Sequence, residues 1–371
     1  MPGMEKFDVL VRGDGCVGRS LALALGAQGL RVALLGAPRR VDGADVRTYA
    51  LNAASQRLLQ GLRVWDTLPA DAICPIHDMR VMGDQDGAAL AFSAWQQGVE
   101  ALGCIVDAAA LEDQLEAALR FSPHVRRVDA VVPAALQAIC EGRESPSAAA
   151  LGAQTLRHDY GQWGLAARLS SDRPHQGQAW QWFRSPDVLA LLPFERPQPG
   201  HSYGLVWSLP ESRARELLAA GPAEFESALL AATGGAAGVL RLAGERQSWP
   251  LQLVRNDPLC GPGWVLLGDA AHAVHPLAGQ GLNLGLADVA SLARVIAARE
   301  PWRPLGDERL LRRHVRERAA DTWAMGELTD ALLRGFAHPH PLVARLRNEG
   351  LKLVNQAGPL KKWLTARALG Q

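Results

Sequence analysis

The hydrophobic pattern of the first forty residues predicts a strand, a glycine turn, a helix and a second strand. Phe7–Val11 is a short apolar run, residues 13–18 are rich in glycine, and Ser20–Gln28 is rich in Ala and Leu. Gly29 marks the end of that helix, and Arg31–Leu35 is the second apolar run. This order is typical of a parallel sheet covered by helices.

The middle of the chain alternates between apolar and polar positions. Gln178–Phe183, Val188–Phe194 and Gly204–Trp207 are predicted strands, and a Pro/Gly-containing loop separates the last two. Strands joined by short loops predict an antiparallel sheet. A buried strand, Trp264–Leu267, and a helix, Leu282–Ala298, then return to the first pattern. We therefore predict an α/β fold in which a Rossmann-like domain carries an inserted antiparallel β-sheet domain and C-terminal helices.

Composition and charge exclude several classes of protein. The chain has 371 residues, of which 48% are hydrophobic and 21% charged, as in a globular protein of two or three packing units. With 39 basic and 38 acidic residues there is no basic excess, so we expect no nucleic-acid partner. We read no secretory signal and no apolar run long enough for a membrane helix. The five cysteines are scattered, so neither a metal site nor a disulfide framework is expected, which predicts a protein of the reducing cytoplasm.

The glycine turn has the form GxGxxG. Gly13, Gly15 and Gly18 stand between a predicted strand and a predicted helix. Glycine is needed there because the backbone must turn sharply, approach a pyrophosphate and let the helix pack on the strand. The free N–H groups at the helix N-terminus would bind the phosphates. A plain glycine turn is the alternative, and a nicotinamide-dependent dehydrogenase would use the same loop.

Two residues depart from the usual form of this loop. Asp14 places a negative charge inside it, and Arg12 is a candidate partner for that charge. Gly36 follows the second strand, at the place of the acid that normally binds a ribose hydroxyl. The loss of one such bond, worth about 1.5–3 kcal/mol, would lower nucleotide affinity by one or two decades.

A second run of special residues reads GDAAHAVHPLAGQGLNLG, from Gly268 to Gly285. Asp269, at a strand end, can accept hydrogen bonds from a polyol, and Pro276 makes the following loop rigid. Glycines 279 and 281 leave bare backbone against which a flat ring can lie. A strand, a glycine turn and a helix with structural histidines would be the non-functional alternative.

This run resembles the GD motif of the class A flavoprotein monooxygenases, and especially of the ubiquinone-biosynthesis (2-polyprenylphenol hydroxylase-like) family. The segment Arg47–Asn52 resembles the arginine-containing segment of that family, and residues 347–370 resemble its C-terminal signature. The family's Asp-Gly motif is altered, because Glu141 replaces Asp and Ala148 stands where Arg is expected. The preceding segment, Val125–Cys140, is short for the family's β-hairpin.

The resemblance implies an FAD-binding domain of the para-hydroxybenzoate-hydroxylase type. Its first, second and third parts would be residues 1–70, 101–155 and 251–300, with substrate-domain segments 71–100 and 156–250 and a C-terminal helical region 301–371. The loop residues beside the reactive flavin ring would be Pro276, Gly279, Gln280 and Gly281. The FAD-binding residues would be Gly13, Gly15, Gly18, Arg47, Gly268, Asp269, Pro276, Gly279, Gly281, Leu282 and Asn283.

The activity implied is FAD-dependent hydroxylation of a phenolic, polyprenylated ring in ubiquinone biosynthesis through a C4a-hydroperoxyflavin. FAD, weakly held because of the altered motifs, and O2 would be used, with NAD(P)H or a separate reductase as electron donor. The alternative is a flavin-poor or non-catalytic relative that binds a prenylphenol or partner enzymes. Changes at Gly36, Glu141 and Ala148 favour the alternative, and the intact run from Gly268 opposes it.

Two further features concern the substrate and partners. The substrate would bind between the flavin and the middle sheet, where an aromatic residue such as Trp182 or Trp207 faces either a pocket or the core. Apolar residues at near-helical spacing around Trp363 either touch the inner face of the membrane or pack on the protein. A homodimer and a place in a ubiquinone-biosynthesis complex stay open.

Overall fold

The computed structural model describes residues 6–36, 45–83, 89–273, 280–320 and 322. The helices are α1 (Cys16–Gly26), α2 (Ala53–Gly61), α3 (Ala94–Gln97), α4 (Ala108–Arg120), α5 (Pro146–Ala150), α6 (Glu211–Ala219), α7 (Pro222–Thr233), α8 (Gln280–Ala297) and α9 (308–320). The strands are β1 (Phe7–Arg12), β2 (Val32–Leu35), β3 (Thr48–Leu51), β4 (Ile73–Ile76), β5 (Asp78–Met82), β6 (Ala89–Ser93), β7 (Gly103–Asp107), β8 (Val125–Val128), β9 (Ala134–Ile139), β10 (Gln154–Ser171), β11 (Gln178–Arg184), β12 (Asp187–Phe194), β13 (Ser202–Pro210), β14 (Leu240–Asp257), β15 (Cys260–Gly261), β16 (Trp264–Leu266) and β17 (His272–Ala273). Short 3₁₀ turns lie at Trp65–Thr67, Ala70–Ala72 and Gly268–Ala270.

The first sheet has the strand order β15-β16-β9-β1-β2-β8 and is parallel except for the β15–β16 pair. Its central strand is fully buried at Val9, Leu10 and Val11, as expected for a strand covered by helices on both faces. The pairing aligns Arg12 with Ile139. The strands therefore end at one common edge, where ligands bind in open α/β sheets. The predicted α/β architecture is confirmed.

An eight-stranded sheet, ordered β17-β14-β10-β13-β12-β11-β5-β6, forms the second layer and is antiparallel except where β11 meets β5. The three predicted middle strands are confirmed as β11, β12 and β13. One face packs on α6 and α7, and the other meets a small sheet, β3-β7-β4. Strands from 78–93 join those from 154–273, and the predicted domain boundaries themselves stay a prediction.

The start of α1 and the length of the segment Val125–Cys140 were both predicted from the sequence. The first helix begins at Cys16 and not at Ser20, because the end of the glycine loop already forms its first turn. In the segment Val125–Cys140, residues 129–133 join β8 to β9. That the segment is short for the family's β-hairpin stays a prediction. Within the described ranges, no helix is long and apolar enough to cross a membrane.

Candidate active site

The glycine loop is built by close backbone contacts around one open position. A side chain at Gly13 would place its Cβ 2.2 Å from the Cys140 carbonyl oxygen, and one at Gly18 would lie 1.9 Å from that of Gly13. At Gly15 a Cβ would meet none of the described residues within 4 Å. Gly15 is also the N-cap of α1, and no described side chain caps the helix. Within the described part of the chain, the loop therefore leaves the N–H groups of the first helical turn beside open space, which suits a pyrophosphate.

Alanine substitutions at Gly18 and at Gly15 are expected to have different effects on stability and on FAD affinity. Gly18→Ala should lower the free energy of unfolding by about 1–3 kcal/mol, because the added methyl group overlaps backbone. Gly15→Ala should leave the stability of the FAD-free protein within about 0.5 kcal/mol and lower FAD affinity at least tenfold, because its methyl group occupies only the ligand's approach. Urea unfolding and FAD titration of both variants check this. Unchanged FAD affinity in Gly15→Ala would place the pyrophosphate elsewhere.

Asp14 does not pair with Arg12, so that expectation is wrong. Arg19 Nε lies 2.9 Å from Asp14 Oδ1 and Arg127 Nη1 lies 2.7 Å from Oδ2, and the Asp14 side chain is only 2% exposed. Arg12 instead donates to Glu141, at 3.1 Å. Two guanidinium groups therefore neutralise Asp14, and its charge is no obstacle to a phosphate in the loop.

The second departure, Gly36, is coupled to the first. A Cβ at Gly36 would lie 2.8 Å from the Cβ of Asp14, and its φ of +152° also disfavours a side chain. The two residues thus share one corner at the ends of β1 and β2, and only one of them can carry a side chain. Asp14, on the neighbouring loop, occupies the space that a side chain after β2 would need.

Arg47 is placed close to the start of α1, where its charge acts on Cys16. Its Nε lies 2.9 Å from Asp45 Oδ1, and its Nη2 lies 3.1 Å from Glu112 Oε1. Burial would by itself lower the pKa of Arg47, but the two acids outweigh it and raise that pKa. Arg47 thus stays cationic at the glycine loop, and its predicted contact with FAD stays a prediction.

A buried arginine fastens the Arg47 segment to the eight-stranded sheet. Arg168 Nη2, from β10, donates to the Arg47 carbonyl oxygen at 2.9 Å and to Asp107 Oδ2 at 3.2 Å. Close by, Gly204 leaves no room for a Cβ, which would lie 2.6 Å from Thr48 Oγ1. The eight-stranded sheet is therefore in tight contact with β3 and with the Arg47 segment before it.

The GD motif lies at the same sheet edge as the glycine loop. It follows β16, and a Cβ at Gly268 would lie 3.2 Å from Val17 of α1. Burial raises the pKa of Asp269, and Arg143 and His272 oppose this only in part. A carboxylate held in such surroundings gains from hydroxyl donors, and the ribityl chain of FAD supplies them. The residues of this edge therefore fit FAD.

Asp288 of α8 holds the GD motif in place through hydrogen bonds and ion pairs. Its Oδ2 accepts from the Gly268 N–H and from His272 Nε2, both at 2.9 Å, and its Oδ1 accepts from Arg318 Nε at 2.8 Å. Burial by itself would raise the pKa of Asp288, but His272 and Arg318 outweigh it and lower it strongly. The pKa of His272 is correspondingly raised, against the effect of its burial. Sequence reasoning missed Asp288 because it lies mid-helix, outside the motif.

His314, which lies near Asp288, makes the free energy of unfolding depend on pH. Burial lowers its pKa from 6.5 to about 4; Asp288 opposes this, while Arg318, His272 and Arg294 add to it. The neutral ring contributes stability that is present above pH 6.5 and lost as the pH falls toward 4, because unfolding takes up a proton.

Between pH 7 and 5, His314→Gln is therefore expected to remove about 2 kcal/mol of the loss in unfolding free energy that the unchanged protein shows. His272, with its raised pKa, acts in the opposite direction above pH 6.5 and is common to both proteins. Urea unfolding at the two pH values measures the difference. Equal pH dependence in both proteins would mean that His314 titrates normally.

Asn283 serves the protein's own backbone. Its side chain donates to the Ala50 carbonyl at 2.8 Å and accepts from the Asn52 N–H at 3.0 Å and from the Ser55 hydroxyl at 2.7 Å. Because these hydrogen bonds engage its side chain, a contact of Asn283 with FAD would involve its backbone, and this contact stays a prediction. Leu282 packs against the core, and Gly281 faces open space within the described residues. Gln280 begins α8, while Pro276 and Gly279 lie outside the described residues.

The altered Asp-Gly motif has a structural explanation. Glu141 accepts from the Ser145 and Ser147 hydroxyls, at 2.8 and 2.6 Å, and so joins the start of α5 to Arg12. Ala148 is 1% exposed and packs in a small apolar cluster, where an arginine would not fit. Glu141 therefore reaches groups that a shorter aspartate would not.

A buried cluster of Cys74, His175 and Glu195 brings three possible metal ligands within 4.8 Å of one another, although sequence spacing gave no hint of it. His175 Nδ1 accepts from the Gly177 N–H at 3.0 Å, so the neutral ring carries its proton on Nε2, 3.5 Å from Glu195. Burial raises the pKa of the Cys74 thiol. A protonated thiol and a ring proton on Nε2, which has no hydrogen-bond partner among the described residues, disfavour metal coordination by this cluster.

The comparisons with known proteins agree with this geometry. The model of a family described as FAD binding domain matches residues 109–329. The chain is 33% identical to ubiquinone hydroxylase UbiL of Rhodospirillum rubrum, over 98% of this chain and 89% of that protein. It is 30% identical to the 3-demethoxyubiquinol 3-hydroxylase of Escherichia coli, over 99% of each.

Solved structures show the same fold. PqsL of Pseudomonas aeruginosa, described as a probable FAD-dependent monooxygenase, superposes with a TM-score of 0.75 at 22% identity, over 94% of this chain and 100% of that one. The p-nitrophenol 4-monooxygenase PnpA of Pseudomonas putida gives 0.77 at 17% identity, over 99% of both chains. The predicted para-hydroxybenzoate-hydroxylase-type architecture is confirmed.

Proposed function

The chain belongs to the FAD-dependent hydroxylases of ubiquinone biosynthesis, and on that basis we propose that it adds a hydroxyl group to a phenolic ring bearing a prenyl tail. The observation that carries this proposal is the meeting of the glycine loop and the GD motif at one sheet edge, around Val17. FAD, when bound, supplies the activation of O2 by two-electron reduction. The comparisons give no support to the non-catalytic alternative.

The chain's own residues act by binding and orientation. The N–H groups at Gly15 and the start of α1 bind the pyrophosphate, and Asp269 accepts hydrogen bonds from the ribityl hydroxyls. Asp288 fixes the Gly268 N–H and His272, and thereby keeps Asp269 in position. The loop 276–281 is the proposed neighbour of the flavin ring, and the substrate binds between that loop and the eight-stranded sheet.

The test begins with the purified protein and its visible spectrum. We expect flavin absorption or saturable binding of added FAD, and NAD(P)H-dependent O2 consumption with a short-tailed 2-prenylphenol. Mass spectrometry should show a product heavier by one oxygen atom. FAD binding without activity on NAD(P)H, rescued by chemically reduced flavin, would assign electron supply to a separate reductase. A colourless protein that ignores FAD would overturn the proposal in favour of a non-catalytic binding protein.

Membrane contact, a homodimer and membership of a biosynthetic complex are further proposals that rest on the sequence. The apolar residues around Trp363 lie outside the described residues. Co-sedimentation with anionic phospholipid vesicles tests the membrane proposal, with Leu364→Lys as the variant that should stay in solution. Equal binding of both proteins would remove the stripe as the contact. Analytical ultracentrifugation decides the oligomeric state.

A further inference from the structure

The face of the eight-stranded sheet that lies opposite α6 and α7 is turned toward the FAD edge. On this face Gly204 of β13 approaches Thr48 of β3, and β3 is also hydrogen-bonded to the start of α8. Because side chains alternate along a strand, Val206 and Ser208 lie on the same face as Gly204. Trp207, between them, packs with α6 and α7. Val206 and Ser208 therefore belong to the side of the sheet on which the flavin is expected.

The middle of this face is a floor of small side chains. Four cross-strand neighbours on β10, β12 and β13 are short: Gly164, Ala166, Ala190 and Val206. Aromatic side chains lie at the two ends of the row that runs through Ser208, namely Phe183 on β11 and Trp249 on β14. A low floor between two aromatic side chains suits a flat ring.

Three polar groups around this floor have no hydrogen-bond partner among the described residues. Gln181 and Ser208 are each only 4% exposed, yet neither side chain bonds to a described residue. The same holds for the Trp249 indole N–H, whose nitrogen would lie 3.2 Å from a Cβ placed on Gly164. None of these polar atoms is fully enclosed, so a ligand can reach them. Because polar groups buried without partners are unfavourable, a ligand that pairs them is stabilised.

The polar groups form two separate spots. Ser208 and Trp249 are both cross-strand neighbours of Gly164 and form the first. Gln181, which forms the second, lies two strands and two residues away from Ser208. With strands about 4.8 Å apart and a rise of about 3.3 Å per residue, the two Cα atoms are about 12 Å apart. A single ring with oxygens on opposite carbon atoms spans such a gap when a hydrogen bond of about 2.8 Å forms at each end.

The floor is uncharged, since none of the residues named above as its members has a charged side chain. Arg168, two positions beyond Ala166 on β10, donates through Nη2 to Asp107 Oδ2 at 3.2 Å, and its Nη1 is enclosed. A carboxylate on the ring would thus be buried without a counter-charge, which is strongly unfavourable. The floor therefore suits an uncharged ring with oxygen substituents.

We propose that Gln181, Ser208 and the Trp249 N–H bind the oxygen substituents on opposite sides of an uncharged aromatic ring and thereby set its orientation in the site. This inference rests on the proposed hydroxylase function, because it describes the binding of that enzyme's substrate. Ring acids are excluded as substrates.

Isothermal titration calorimetry of the FAD-loaded full chain tests this with three probes. 4-Methoxyphenol carries both oxygens, 4-ethylphenol lacks the second, and 4-hydroxybenzoate carries a carboxylate. We expect 4-methoxyphenol to bind about fivefold more tightly than 4-ethylphenol, because the second oxygen makes one more hydrogen bond. 4-Hydroxybenzoate should bind more weakly than both.

Substitutions identify the partner of each oxygen. Gln181→Leu and Ser208→Ala should each weaken 4-methoxyphenol binding about five- to tenfold. One of these two variants should leave the affinity for 4-ethylphenol unchanged, because this probe lacks the oxygen that the substituted residue binds. Both should keep the stability of the unchanged protein in urea, since no described hydrogen bond is lost. Ser248→Ala, on the opposite face of β14, is the matched control and should bind every probe normally.

The inference is wrong if none of the probes binds, if 4-hydroxybenzoate binds most tightly, or if both variants keep full affinity for 4-methoxyphenol. It is also wrong if both variants hydroxylate the short-tailed 2-prenylphenol with unchanged KM, although the proposed activity then stands. Conversely, a protein that ignores FAD but binds 4-methoxyphenol through Gln181 and Ser208 would support the ring site and overturn the proposed activity.

Discussion

Replacing Asp269 by asparagine is expected to lower FAD affinity ten- to hundredfold and, at the same time, to raise the stability of the FAD-free protein. The first effect follows from the loss of a charged acceptor for the ribityl hydroxyls, worth about 1.5–3 kcal/mol. The second follows because burial raises the pKa of Asp269, so its charge opposes folding near neutral pH. Opposite signs of the two effects identify a residue kept for binding.

FAD titration and urea unfolding of the FAD-free protein measure these two effects. Asp113→Asn on the exposed face of α4 is the matched control and should change neither quantity. A stability gain without any loss of FAD affinity would show that Asp269 is not a ligand of FAD. A loss of stability in the FAD-free protein would make Asp269 a structural residue.

The second large effect is expected at Asp288. Asp288→Ala should lower the free energy of unfolding by about 3–5 kcal/mol, because it leaves Arg318 buried without its counter-charge and His272 Nε2 without its partner. The Gly268 N–H also loses its acceptor, so the GD motif is no longer fixed and FAD affinity falls as well. The substitutions Asp288→Ala and Asp269→Asn should thus both lower FAD affinity but change the free energy of unfolding in opposite directions.

Asp288→Asn separates charge from hydrogen bonding at this position. The amide oxygen can still accept from Gly268, so this variant should lose less stability than Asp288→Ala while still lacking the ion pairs. Its unfolding free energy should also lose the pH dependence that His272 imposes above pH 6.5. If Asp288→Ala costs less than about 1 kcal/mol, the buried network does not hold the motif as described.

The departures from the family motifs now have physical explanations. Asp14 and Gly36 occupy one corner, where the glycine is needed because the aspartate fills the space. Glu141 reaches two serine hydroxyls at the start of α5, and the cluster around Ala148 has no room for an arginine. Each change is accommodated by its neighbours, which agrees with an intact nucleotide site.

Local pattern was sufficient for the parts of the fold that depend on neighbours in sequence. The run Phe7–Val11 and the glycines after it specify a buried strand and a tight turn, since both require particular residue types at adjacent positions. The three middle strands likewise follow from alternation. FAD, in contrast, was implied by the resemblance of the run from Gly268 to the GD motif of a known family.

The tertiary structure decided which residues meet. Asp14 pairs with Arg127, 113 positions away, and not with nearby Arg12. Trp182 and Trp207 face α6 and α7 because register, and not composition, selects the face of a strand. Asp288 reaches Gly268 because α8 runs beneath the motif. Sequence fixes local conformation through short-range sterics, whereas burial and ion pairing depend on the packing of distant segments, which pattern alone does not specify.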